Sequence, residues 1–385
     1  MQVADRLLTT VSPHLHKKDE TIQKAMRNVL LALAPAAIWA VIVFGMNVVY
    51  IIAVSMVTAA LSELLMRKIM GRKQTLGDLS AMVTALLFAF LLPPTTPLWV
   101  VAIGVFIAVA LFKELFGGLG KNVFNPAIAA RVVLYFLPLA IYGQKFVKPF
   151  FWKTSGFFTP VATSVSNGVA TFKNLAGGHV DIVAAATPLS LIKNGRLLAP
   201  DVITGSTPVA ATYVNGAGRP NFVSLFFGLK GGTIGEISVL LLLLGGIFLI
   251  YRRTVDWRIP VGIIGTYFVL SLVTWFYPGY ALFSGGLWLG AFYMATDWVT
   301  SPVTRRGKWI YAVGIGATVF ILRFFFSRPE GVALSIFAWN IGALVIDRYI
   351  AMPKFGELGV GAFNRLPALP QPAPESYAWR PHFLE

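Results

Sequence analysis

Apolar runs and short polar breaks alternate along this chain, and one long polar stretch separates the runs into two blocks. From Val29 to Met66 the residues are almost continuously apolar, about twice the roughly 20 that a bilayer-crossing helix needs, with Gly45-Met46-Asn47 as the turn signal. This predicts a helical hairpin. A third run, Leu79 to Leu92, stops at Pro93-Pro94-Thr95-Thr96-Pro97, where prolines remove donors and hold the backbone away from helix. A fourth, Leu98 to Phe116, ends at Gly117-Gly118-Leu119-Gly120-Lys121, and a fifth starts at Asn125-Pro126 and continues to Tyr142. Asn before Pro predicts a helix start, because Asn caps free amides and Pro suits the first helical position.

The stretch from Gln144 to Gly235 is rich in Gly, Thr, Ser, Asn and Pro, and irregular chain of that length is uncommon unless it is functional. Apolar runs then resume at Glu236 to Tyr251, Ile259 to Phe276, Leu282 to Thr296, Trp309 to Phe326 and Val332 to Ile350. The pattern divides the chain into an N-terminal arm (1–28), a first five-helix membrane repeat (29–143), a loop (144–235), a second five-helix repeat (236–350) and a proline-rich tail (351–385). Two blocks with an odd number of spans share a fold only in opposite orientation. In both, the third span is short and ends at proline, Pro97 after Thr95-Thr96 and Pro302 after Thr300-Ser301, as broken helices facing a buried site do. The expected fold is therefore an all-α integral membrane protein of about ten transmembrane helices in an inverted five-plus-five repeat.

Composition supports a bilayer as the solvent: 56% of the 385 residues are hydrophobic and only 12% charged. Lys and Arg outnumber Asp and Glu by 32 to 16, but the basic residues are dispersed and accompany no nucleic-acid-reading module, so no nucleic-acid partner is expected. They set an orientation instead. Arg67 to Lys73, Lys113 with Lys121, Arg252 with Arg253 and Arg258, and Arg305 with Arg306 and Lys308 fall on the side of the N-terminus. Both termini are thus expected in the cytoplasm and the long loop outside, Arg328 alone dissenting. No cleavable signal is expected, since polar residues through Arg27 precede the first apolar run. With no cysteine, the chain forms no disulfide, thiolate metal site or cysteine-ligated cluster, and its four histidines do not recur within one span, so no metal site is expected.

The runs Gly117 to Ala127 (GGLGKNVFNPA), Gly285 to Asp297 (GGLWLGAFYMATD) with Thr300-Ser301-Pro302, and the loop Asp181 to Thr187 resemble the RnfD subunit of the Rnf electron-transport complex and its relative, the NqrB subunit of sodium-pumping NADH:quinone reductase. The resemblance covers nearly all the spans in order. It implies that a flavin transferase attaches FMN through its phosphate to the Thr187 hydroxyl, in a pattern that Asp181 and Ala186 complete. Ala184 and Ala185 depart from the Ser or Thr and the Gly common at those places. It further implies an electron relay within a bacterial inner-membrane complex that oxidises ferredoxin, reduces NAD and exports sodium ions or protons, with other subunits and membrane lipid as partners. Relatives also hold a second, noncovalent flavin, riboflavin. The alternatives are the NqrB branch and, from another class, a non-redox inverted-repeat solute channel or transporter.

Two residues are weaker candidates for cofactor binding. Asn125 either lines a site at the mouth of a broken helix or simply caps it. Asp297, at the end of an apolar span, either faces a cavity or is solvated near Arg305 and Arg306, and Trp298 stands beside it where the family commonly has Pro. Gly117, Gly118 and Gly120 follow a membrane helix rather than a strand, so they predict tight packing or close approach to a cofactor, not a dinucleotide loop. Phe124, Trp288 and Tyr293 are aromatic candidates for shielding a flavin, and Glu63, Asp78, Glu114 and Asp347 are expected in interfacial water at helix ends. No catalytic residue acting on a substrate is expected.

Overall fold

A computed structural model describes residues 21–137, 162–166, 169–173, 179–183, 222–228, 232–274, 278–326 and 331–350. Its body is a helical bundle. Helix α1 (Ile22–Phe44) begins inside the expected polar arm, because the Thr21 hydroxyl caps it by accepting from Lys24 N at 3.2 Å. The chain reverses at Gly45, whose φ of 76° favours glycine, and enters α2 (Asn47–Ile69). After a short 3-10 turn, the Asp78 carboxylate accepts from Ser80 N and Oγ at 2.7 and 2.6 Å and so starts α3 (Ser80–Phe90). Every side chain from Val83 to Phe90 in this helix is buried, which is the position of a helix apolar on all sides.

Helix α4 (Leu98–Phe106) widens without a break into a π-helical segment (Ile107–Glu114), and α5 (Pro126–Phe136) closes the first block. The short α6 (Phe222–Phe227) precedes the second block, which opens with α7 (Val239–Tyr251), capped by Ser238. There follow α8 (Arg258–Val273) and the short α9 (Pro278–Phe283). Then come the single turn α10 (Leu287–Leu289) with a second π segment (Gly290–Met294), α11 (Arg305–Phe324) capped by Thr304, and α12 (Gly331–Tyr349). The span expected from Leu282 to Thr296 is thus divided between α9, α10 and a π segment, with Gly285 at φ 67° as the joint.

Four helices, α1, α2, α11 and α12, are long and apolar enough to cross a membrane, and α3, α5, α7 and α8 are shorter apolar helices. Leu31, Ile38, Leu61, Ile247, Val261 and Leu344 are exposed on their outer faces, a surface suited to an apolar solvent. The blocks join where α1 packs on α7 and α5 on α12. Small residues permit close helix approach: a Cβ on Gly262 of α8 would lie 2.6 Å from Ala312 Cβ of α11, and one on Gly316 of α11 would lie 2.6 Å from Ile263 O of α8.

The bundle is all-α as expected, and a correction concerns only the loop read as irregular. Within residues 144–235 the strands β1 (Ala162–Ser166), β2 (Val169–Lys173) and β3 (His179–Val183) form an antiparallel sheet in that order, and α6 and a 3-10 turn (Ile234–Glu236) follow. Alternation of Val, Thr and Ile with small residues across two short connections suits a meander, a weaker signal than the surrounding apolar runs.

Candidate functional site

Where the blocks meet, α1, α3, the start of α5, the end of α7 and the second π segment enclose a cavity of about 90 Å³, against the roughly 10–15 Å³ that one water requires. Its wall is mixed. Met26, Val83, Leu87 and Phe292 are apolar residues on it, and Thr84, Lys113, Asn122, Asn125 and Asp297 are polar ones.

Asn125 does both things considered for it. Its Oδ1 accepts from Ala127 N and Ile128 N at 3.1 and 3.3 Å, which caps α5, and its Nδ2 donates to Met294 O of the other block at 3.3 Å. That carbonyl belongs to a π segment, where the i→i+5 spacing of hydrogen bonds leaves backbone groups for other partners. Asn122, three residues earlier, donates from Nδ2 to Phe124 O at 3.2 Å. Its Oδ1 is buried with no hydrogen-bond partner among the described residues, a costly state.

Asp297 lies half-buried on the same wall, accepting weakly from Val299 N at 3.4 Å and Thr300 Oγ1 at 3.5 Å. Among the described residues no ion pair joins it to a basic side chain. Trp298 next to it is half exposed and donates its indole N–H to Thr254 O at 2.6 Å, tying this turn to the end of α7. Of the aromatic candidates, Phe124 stacks on Phe337 at 4.5 Å, and Trp288 stacks between Phe283 and Phe292 at 6.2 and 6.0 Å. Tyr293 lines the cavity with its hydroxyl committed to Leu242 O at 3.0 Å.

Two expectations about charge are overturned. Glu63 and Glu114 do not sit in interfacial water: both are 0% exposed. Arg67 and Lys113 enclose them, Lys113 Nζ lying 3.0 Å from Glu63 Oε2 and Arg67 Nε 3.1 Å from Glu114 Oε2. The acids look like isolated helix-end residues in sequence because each takes its shorter ion pair from another helix. The glycine run serves the same cluster. Gly118 has φ 89°, and a Cβ there would lie 2.6 Å from Arg67 Nη2, so the close approach is to a guanidinium. Asp78 and Asp347 are half-buried and accept from Ser80 and Val303 backbone amides respectively.

Of the flavinylation pattern, Asp181 lies in β3 with Thr171 of β2 as its cross-strand partner, while Ala186 and Thr187 lie outside the described residues.

Three relatives match nearly end to end. The chain is 36% identical over 355 residues to the D subunit of a proton-translocating ferredoxin:NAD(+) oxidoreductase complex of Clostridium ljungdahlii, covering 90% of this chain and 95% of that one. It is 36% identical over 352 residues to the D subunit of the Na(+)-translocating ferredoxin:NAD(+) oxidoreductase complex of Acetobacterium woodii, covering 91% and 95%. It is 34% identical over 350 residues to the D subunit of an ion-translocating oxidoreductase complex of Stutzerimonas stutzeri, covering 87% and 92%. A family model matches residues 8–356, and on that match the chain belongs to the NQR2, RnfD, RnfE family.

Proposed function

We propose that the chain is the flavin-bearing membrane subunit of an Rnf-type ferredoxin:NAD oxidoreductase, relaying electrons within the complex while ions cross the membrane. The observation that carries this is the end-to-end similarity to the D subunits of such complexes, together with Asp181, Ala186 and Thr187 in the flavinylation pattern. FMN bound as a phosphoester at Thr187 supplies one- and two-electron transfer. A transferase, the remaining subunits of the complex and membrane lipid are the partners in this reading.

The membrane body fits ten spans in an inverted five-plus-five repeat. Helix α2 packs on α4 and its π segment as α8 packs on α11, and each block has a short third element, α3 in one and α10 with its π segment in the other. Basic residues from several connections gather at one end: Lys24 and Arg252 border one cleft, and Lys308 Nζ lies 3.0 Å from Asp256, which also pairs with Arg258. This supports cytoplasmic termini and an external flavin loop in a bacterial inner membrane.

The second, noncovalent flavin does not fit the seam cavity, whose volume of about 90 Å³ is well below the roughly 300 Å³ of a small-ligand pocket.

Mass spectrometry of the peptide from Asp181 to Lys193, from cells containing the transferase, tests the attachment. The added mass of FMN less water is expected on Thr187, and an unmodified peptide overturns the reading. For the donor, the purified complex is expected to be reduced by ferredoxin; rapid quinone reduction by NADH without ferredoxin would instead favour the NqrB branch. The relatives named for protons and for sodium are equally similar, so sodium dependence of transport in vesicles must decide the coupling ion.

A further inference from the structure

Helix α1 packs on α7 with its start beside the end of α7, and two openings follow this contact. At the end of the bundle, Lys24, Asn28, Tyr251, Arg252, Arg253 and Trp298 border a cleft of about 550 Å³. Further along the same two helices, Leu31, Pro35, Leu241, Leu244 and Phe248 border a groove of about 380 Å³. Both volumes fall in the roughly 300–1,000 Å³ range of small-ligand sites. About 10 Å of helix rise separates Lys24 from Leu31, so the openings adjoin.

The cleft is basic. Three of its residues are cationic and, among the described residues, none is acidic. Arg252 and Arg253 are exposed and form no ion pair among the described residues. Basic residues at the end of α7 suit its dipole, but Lys24 stands in the first turn of α1, where the dipole already supplies positive charge and no acidic residue offsets it. Arg253 carries a further mark. Its φ is 56°, its N–H donates to Ile250 O at 2.9 Å, and Thr254 N donates to Leu249 O at 2.9 Å, the pair of bonds by which a left-handed residue ends a helix. Glycine ordinarily fills that place, because a Cβ is disfavoured there. An arginine held in it serves its side chain rather than its backbone.

The groove is apolar throughout, lined by Leu, Ala, Pro, Gly and Phe alone. Leu31, Pro35 and Leu244 are exposed on it, while Ala32 and Gly245 are buried and form its floor: a Cβ on Gly245 would run into Ala32 O. Phe248 joins the two openings, since it lines the groove and the Arg252 guanidinium lies 5.8 Å from its ring centroid.

We propose that the α1–α7 groove binds one anionic phospholipid, with the phosphodiester headgroup in the basic cleft and an acyl chain along the apolar part. A free phosphate would use the cleft alone and a zwitterionic lipid gains little from its charge, so the two parts together select a lipid of net negative charge. Tyr251 and Trp298 border the cleft as amphipathic rings do at the level between headgroups and hydrocarbon. The site lies on the contact that joins the two blocks, and an occupying lipid holds them together there.

The test uses the purified complete complex, delipidated in detergent, with native mass spectrometry counting retained lipid as dioleoylphosphatidylglycerol or dioleoylphosphatidylcholine is added. Wild type is expected to bind one phosphatidylglycerol well ahead of phosphatidylcholine. Arg252→Gln with Arg253→Gly is expected to weaken that one event about 25-fold, about fivefold for each basic residue lost. Arg305→Gln with Arg306→Gln, an equal loss of charge elsewhere, should leave it unchanged, and Leu244→Trp, which fills the groove, should weaken it. Arg253→Gly alone should melt no lower than wild type, because glycine suits that φ, and a lower melting temperature would overturn the reading of Arg253. Equal affinity for the two lipids, or an equal loss in the Arg305 and Arg306 variant, would reduce the effect to general surface charge and overturn the proposal. Displacement by inorganic phosphate as readily as by phosphatidylglycerol would make free phosphate the ligand and overturn the lipid. Identical lipid counts in wild type and the Arg252 and Arg253 variant, as when another subunit fills the groove, would also overturn it. Should Leu244→Trp not assemble, the arginine variants carry the test.

Discussion

The side-chain nitrogen of Asn125 donates to the carbonyl of Met294 at 3.3 Å across 169 positions of sequence, while the oxygen of the same amide caps α5. One residue therefore starts a helix in the first block and holds it to the π segment of the second. Asn125→Ala removes both functions and is expected to lower stability by about 1–3 kcal/mol, the sum of a lost cap and an abandoned buried carbonyl. Asn125→Ser keeps a capping oxygen and should recover part of this. Thermal unfolding of the detergent-solubilised protein measures both, and equal losses for the two variants would contradict the division of roles.

Gly118 is expected to be intolerant in a way that Gly265 is not. At Gly118 the φ of 89° and the Arg67 guanidinium both oppose a Cβ, whereas a Cβ at Gly265 of α8 meets nothing within 4 Å. Gly118→Ala should cost about 1–3 kcal/mol through backbone strain and displacement of Arg67 from Glu114. Gly265→Ala should be neutral or stabilising by up to about 1 kcal/mol, since alanine has the better helix propensity. Comparative melting curves decide this, and similar costs at both positions would sink the argument.

Attachment of FMN should depend on the hydroxyl and its neighbours in graded fashion. Thr187→Ala is expected to abolish flavin fluorescence of the denatured chain in a gel, Thr187→Ser to retain some, and Asp181→Asn to reduce it severalfold without affecting the body of the bundle. Full fluorescence in Thr187→Ala would place the flavin elsewhere.

Asp256 gives a pH dependence whose sign is fixed. Partial burial alone would raise this carboxyl, but the Arg258 amide together with the Lys308 and Arg258 side chains outweighs it and holds it below the ordinary value of 3.8. The contribution to stability is complete above that ordinary value and disappears as pH falls through the lower, folded-state value. Acid melting of the wild type should therefore include a step below about pH 4 that Asp256→Asn lacks, with the variant already weaker at neutral pH.

The hairpin turn at Gly45, the cap at Asn125 and the stop at Pro93 were legible in the sequence because each is fixed by the backbone chemistry of one or two neighbouring residues. The apolar runs were legible for a related reason: solvent preference is carried by each side chain, so a bilayer-facing helix announces itself residue by residue. Glu63 and Glu114 were not legible. Their burial depends on Arg67 and Lys113 being brought together across α2 and a π segment, with Lys113 and Glu63 separated by 50 positions. The second π segment, the division of Leu282 to Thr296 and the unpaired Asn122 oxygen were equally hidden, since each is settled by what packs against it rather than by its own residue type. The sequence by itself determined that the chain needs an apolar solvent, where most helices begin and end, and which threonine matches an acceptor pattern. Only the tertiary structure decided which charges are buried and which polar groups meet in one cavity, because both depend on distances between elements that no local pattern encodes.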